Sequence, residues 1–114
     1  MTVTFNWQDA MIEVDNTVLQ TMGKPKYVQL MLNYDKKLLG IKSCDIDCDN
    51  VLIMPEKDVQ LVEIPAKTLL KNIWGHMGWE TENPRVCVGV YLESYQIVVF
   101  DLNEAYELIP GAVV

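Results

Sequence analysis

Residues 3–14 alternate irregularly between apolar and polar types and end in Met11-Ile12-Glu13-Val14, which predicts an edge strand. Asp15 or Asn16 then caps a short helix over residues 17–22, and Gly23 ends it. Lys24-Pro25 is a break, because the residue before a proline avoids the helical region. Residues 27–32 read as a strand, Asn33-Tyr34-Asp35-Lys36 as a hairpin turn and residues 37–43 as the returning strand.

The stretch 44–50 is acidic and irregular, and it leads to a short apolar strand over 51–54 that Pro55 closes. Glu56-Lys57-Asp58 is a turn, and residues 59–64 form the next strand. Pro65 suits the first position of a helix running to about Trp74, with Leu69, Leu70 and Ile73 on one face. Residues 85–92, a turn at Glu93-Ser94 and residues 95–102 give a second hairpin. One last helical turn is expected over 103–108, and Pro110-Gly111 leads into a loose tail.

This order of elements repeats. Residues 12–19 (Ile-Glu-Val-Asp-Asn-Thr-Val-Leu) align with residues 62–69 (Val-Glu-Ile-Pro-Ala-Lys-Thr-Leu) at an offset of 50. Residues 25–41 align with 84–100 without a gap at an offset of 59, so the second copy carries nine extra residues, 74–82. Each copy reads strand, short helix, proline-linked hairpin, over about 11–43 and 59–102. Neither copy buries both faces of its hairpin alone, whereas packing one against the other creates a shared core. The expected fold is a β-rich α+β single domain, a small barrel or two-layer sheet built from two pseudo-repeats.

The pattern resembles the swapped-hairpin barrel family of transition-state regulators and antitoxins, AbrB-like and MazE-like. Residues 12–14, Leu19, Met22-Gly23, 28–32 and 38–41 follow the order of one unit; residues 62–64, Pro65, Leu69, 86–90 and 97–100 follow the order of a second. The resemblance implies two interlocked units, usually a homodimer. With both units in one chain, a monomer could complete the barrel, and a homodimer through exposed edges remains open. The family's DNA binding through basic residues near the helix and first strand would here fall to Lys24, Lys26, Lys67, Lys71 and Arg85. These are interleaved with Glu13, Asp15 and Glu63, and an arginine pair suited to bidentate guanine contacts is missing.

Charge weighs against that use. The net charge is −7, about −2 of it in residues 1–50 and −5 in residues 51–114, which disfavours general binding to nucleic acid or anionic membranes. Lys24, Lys26, Lys36, Lys37 and Lys42 leave the first hairpin locally basic, either a solvated face or a phosphate-contacting patch. No apolar run approaches the roughly 20 residues that span a bilayer. The first residues also lack the basic and long apolar regions of a signal peptide, so cytoplasmic residence is expected. Three cysteines make no disulfide framework; Cys44 and Cys48 lack the usual zinc spacing, and Cys87 fits a small core residue.

Two stretches hold candidate chemistry. Asp45, Asp47, Asp49 and Glu56 fall at positions 1, 3, 5 and 12 of a calcium-loop spacing, with Asn50 in place of the usual glycine. Strand-like flanks and Pro55 favour the plainer reading, an acidic loop that protects a sheet edge. Trp74-Gly75-His76-Met77-Gly78-Trp79 concentrates two tryptophans and the single histidine. It is either a partner-binding loop or a pair of rings folded back over the end of the barrel. Tyr34, Tyr91 and Tyr95 lie at or beside the hairpin turns. No catalytic constellation or cofactor signature is present. The sequence thus favours a non-enzymatic regulatory or protein-interaction module, then a DNA-binding regulator, then a calcium- or metal-dependent protein.

Overall fold

The structure, a computed structural model, describes residues 1–111; the tail beyond Gly111 lies outside the described residues. The stretch expected to form one edge strand is a hairpin instead. Strands β1 (Thr2–Asn6) and β2 (Met11–Asp15) pair antiparallel from Val3 opposite Val14 to Asn6 opposite Met11. The irregular alternation was the turn: Asn6 Oδ1 accepts from the Asp9 amide at 3.1 Å, and Ala10 takes φ 55°.

Helix α1 (Asn16–Thr21) begins where a cap was expected, with Asp15 accepting from the Thr17 amide at 3.1 Å. Gly23 follows it with φ 83°, a conformation in which a glycine carries no side-chain penalty. Strands β3 (Tyr27–Asn33) and β4 (Leu38–Ser43) form the first hairpin, whose turn is held by the Lys36 amide on Asn33 Oδ1 at 3.0 Å. β5 (Leu52–Ile53) and β6 (Leu61–Pro65) follow.

Pro65 closes β6, opposite Met11, and is not the first residue of the helix. Edge strands tolerate a proline whose missing N–H points away from the ladder. Helix α2 (Lys67–Met77) therefore starts two residues later than expected and runs three further, to a left-handed cap at Gly78. Residues 74–77 of the nine-residue excess are thus helix, not loop. β7 (Arg85–Leu92) and β8 (Ile97–Asp101) make the second hairpin. The expected last helical turn is shorter, a 3-10 turn over Leu102–Glu104, and β9 (Tyr106–Glu107) then pairs with β7.

The strands form one curled, half-barrel sheet in the order β5-β3-β4-β8-β7-β1-β2-β6. Val3, Phe5, Ile12, Leu39, Ile41 and Phe100 point inward and join Val18 of α1 and Leu70, Ile73 and Trp74 of α2 in one core. Among the described residues no polar or charged residue is buried as a whole. No described helix is long and apolar enough to cross a membrane.

Contacts between the two halves are reciprocal. The Asn16 amide donates to Gln60 O at 3.0 Å, and the Ala66 amide donates to Ala10 O at 2.9 Å, the same bond with the halves exchanged under the offset of 50. Glu13 lies opposite Glu63 between Ile12–Ile64 and Val14–Val62. Under the offset of 59, Ser43 N to Gln96 O at 3.1 Å matches Leu102 N to Lys37 O at 2.9 Å. Gly40 lies opposite Val99, and Lys37 and Gln96 are both left-handed, with φ 57° and 52°. β5 meets β3 (Leu52 opposite Val28) as β1 meets β7 (Val3 opposite Cys87). The match stops at one seam: β1 pairs with β2, but among the described residues no ladder joins β5 to β6.

Candidate functional site

The helical period of α2 places Trp74 one turn beyond Leu70, on the buried face. Its indole Nε1–H donates to Thr81 O at 2.8 Å, which ties the helix end to the chain that returns toward β7. The Trp79 ring stands perpendicular to it at 4.8 Å, Trp7 packs on it at 5.1 Å, and Phe5 lies 6.1 Å from Trp79. Trp74 and Trp79 are therefore brought together as a cap over the core. Trp7, which the sequence reading did not single out, completes it. His76 points elsewhere: exposed, it donates from Nε2 to Tyr34 O at 2.7 Å and meets the Tyr34 ring edge-on at 5.0 Å, linking α2 to the first hairpin turn.

The five basic candidates fall in three places. Lys24 forms an exposed ion pair with Asp58 at 3.1 Å and shares a cleft of about 260 Å³ with Lys26, Glu56 and Lys57, where the signs alternate. Lys67 and Lys71 flank a hollow beside Trp7 and Ala10. Arg85 is held inside the cap: its guanidinium sits 4.7 Å over the Trp79 ring, pairs with Glu107 at 3.1 Å and donates to Thr81 at 3.2 Å.

The acidic loop has its own ties. Asp49 O accepts from Gln29 Nε2 at 2.9 Å, Asp45 O accepts from the Cys48 amide at 3.1 Å, and Asn50 takes φ 54°. Asp45, Asp47 and Asp49 are exposed, whereas Glu56 lies past β5 in the cleft with Lys24. Among the described residues no three His, Cys, Asp or Glu side chains are gathered as a metal would need. Cys87 is buried and donates from Sγ to Asp101 O at 2.9 Å; burial pushes its thiol up to about 11, so it stays protonated and unreactive at neutral pH.

Glu13 and Glu63 face each other across β2 and β6. Burial raises the Glu13 carboxyl above its ordinary value, the Glu63 charge raises it further, and Asp9 adds to this against a lowering bond from Asn6. A carboxyl raised by folding favours the folded state at low pH, and that contribution fades as pH climbs through its folded value. Glu63→Gln is therefore expected to stabilise the protein at pH 7 by about 0.2–1 kcal/mol, the scale of one cross-strand pair. The gain should shrink on acidification toward pH 4, read from urea midpoints at both pH values.

The outer face of β3-β4-β8-β7 is the feature that sequence reading missed. Met31, Gly40, Val99 and Val90 form one row across four strands, and Gln29, Lys42, Ile97 and Leu92 form the next. Met31 is 45% exposed, Val88 59%, Val90 62% and Leu92 41%. Gly40 and Ile97 floor a hollow of about 560 Å³ on this face, walled by Met31, Tyr34 and Leu38. Neither helix covers it. The available signal was β7 itself, where Val86, Val88 and Val90 follow one parity and Cys87 and Tyr91 the other, apolar on both sides. Compared with known proteins, the chain matches no family model, no curated protein and no solved structure.

Proposed function

We propose that this protein is a non-enzymatic interaction module that docks a protein surface on the outer face of β3-β4-β8-β7. The observation that carries the reading is the exposed apolar set Met31, Val88, Val90 and Leu92 on this face, with the half-buried Val99 between Met31 and Val90 in one cross-strand row. Water-exposed apolar area of this continuity marks contact surfaces on soluble domains. Trp74 and Trp79, the partner-binding candidates of the sequence, act in this reading as the scaffold behind the face; His76 stays a surface group.

The chain is further read as two fused copies of one β-β-α-β-β unit, related by a two-fold exchange. The reciprocal hydrogen bonds and the registers centred on Glu13/Glu63 and Gly40/Val99 support it. A two-fold contact joins residue i to j and j to i, which is the relation observed. The same architecture favours a second reading, a DNA-binding regulator of the swapped-hairpin kind. Lys24 and Lys26 would carry it, since Arg85 is engaged with Glu107.

One experiment separates the two. A photo-reactive phenylalanine analogue at Val90 is expected to cross-link protein in extract of the source cells, while the same group at Lys26 captures no added duplex DNA. Capture at position 26 alone would overturn the first reading in favour of the second, and adducts at neither would remove both.

A further inference from the structure

We propose that the occupant of this face is the same face of a second copy of the chain; the inference rests on the docking reading above. The charges of the face point to it. A protein of net charge −7 repels itself, so two copies meet only where acidic residues are balanced. On the outer parity of β4 and β8 the charged residues are Lys42 and Asp101, one of each sign.

They lie at opposite ends of the face. Lys42 pairs across the ladder with Ile97, and Asp101 pairs with Leu38. Positions 42 and 101 also correspond under the offset of 59, so the exchange that relates the halves swaps a lysine for an aspartate. A two-fold axis parallel to the sheet, just above its outer face and crossing the line between them at its midpoint, sets each Lys42 over the partner's Asp101. Asp101 Oδ1 accepts twice from Asn103, at 3.0 Å each, which leaves Oδ2 for the lysine. Between these two ion pairs, Met31, Val99 and Val90 meet their counterparts, with Ile97 covering Gly40. The closed interface is an apolar centre with a charge-paired rim, the arrangement of specific protein contacts.

The size of the face sets the strength. Four strands about 4.8 Å apart and five residues of about 3.3 Å rise give a flat footprint of a few hundred Å² per partner. Doubled for the two partners, that is below the roughly 1,200–2,000 Å² of standard interfaces, so a weak, transient dimer with a dissociation constant on the order of 100 μM is expected.

Sedimentation velocity on the full chain, from about 1 μM to about 300 μM, reads this directly. The expected result is a monomer that becomes a dimer over the series. Val90→Arg and Lys42→Glu should each weaken the dimer at least about tenfold without changing the circular dichroism spectrum or Tm. A monomer across the whole range overturns the proposal, as does a dimer indifferent to Val90→Arg. The docking reading fails separately: if the Val90 cross-linker captures a different protein while the chain stays monomeric, the face is an interaction surface and the second copy is not its occupant.

Discussion

Trp74→Ala is expected to cost about 3–5 kcal/mol of folding stability, the range for deleting a large buried aromatic. The ring is buried between Trp7 and Trp79, and its N–H is spent on Thr81 O. Removing it opens a cavity, leaves that carbonyl without its donor and releases the segment that carries Trp79. Small domains commonly hold about 5–15 kcal/mol in total, so much of the reserve would go. Urea denaturation should show a far lower midpoint, with a slope near the native one if unfolding stays two-state. Trp74→Phe keeps most of the volume and loses only the N–H, so it should fall between the two. A Trp74→Ala protein as stable as the parent would show that the ring is not part of the core, and the partner-binding role of residues 74–79 would come forward.

Arg85→Ala is the second large expected effect, about 2–4 kcal/mol. Its side chain is 13% exposed and that of Glu107 22%. Deletion leaves a half-buried carboxylate facing Thr81, with which Glu107 also hydrogen-bonds, and uncovers the Trp79 ring. Much of the loss is the unpaired charge, not the ion pair itself. Arg85→Met combined with Glu107→Gln should therefore recover part of the stability lost in Arg85→Met alone, a coupling that a double-mutant cycle measures. Purely additive effects would mean that the two charges act independently. In either outcome Arg85 is judged by thermal or urea unfolding, because its guanidinium is engaged with Glu107, Trp79 and Thr81.

Where the sequence was informative, it was so through local chemistry. Asp15 and Gly23 mark the two ends of α1, and Asn33 holds the first hairpin turn as its residue type suggests. The errors came from residues whose meaning depends on distant partners. Gly75 looked like loop but lies on the exposed side of α2, kept helical by Ile73, Trp74 and Met77 packing into the core on either side of it, while the true stop is Gly78. Pro65 looked like a helix start because its ladder to β2 spans fifty residues of chain. The Arg85–Glu107 pair exists only because β9 returns alongside β7, and nothing at either position alone announces it. The outer face was visible as doubly apolar strands, but which side lacked cover depended on where both helices packed.

Glu13 facing Glu63 has a consequence for how such a chain can change. In an assembly of identical subunits, a residue on the exchange axis meets itself, so one mutation alters both sides and a charge there is always opposed by its like. Joining the halves in one polypeptide removes that rule. Gly40 and Val99 already differ across their axis, and a Cβ at Gly40 would fall 2.6 Å from Ile97 Cδ1, so a tight fit on one side needs no copy on the other. Positions 13 and 63 carry the same residue on both sides, although a single substitution would convert their repulsion into an ion pair.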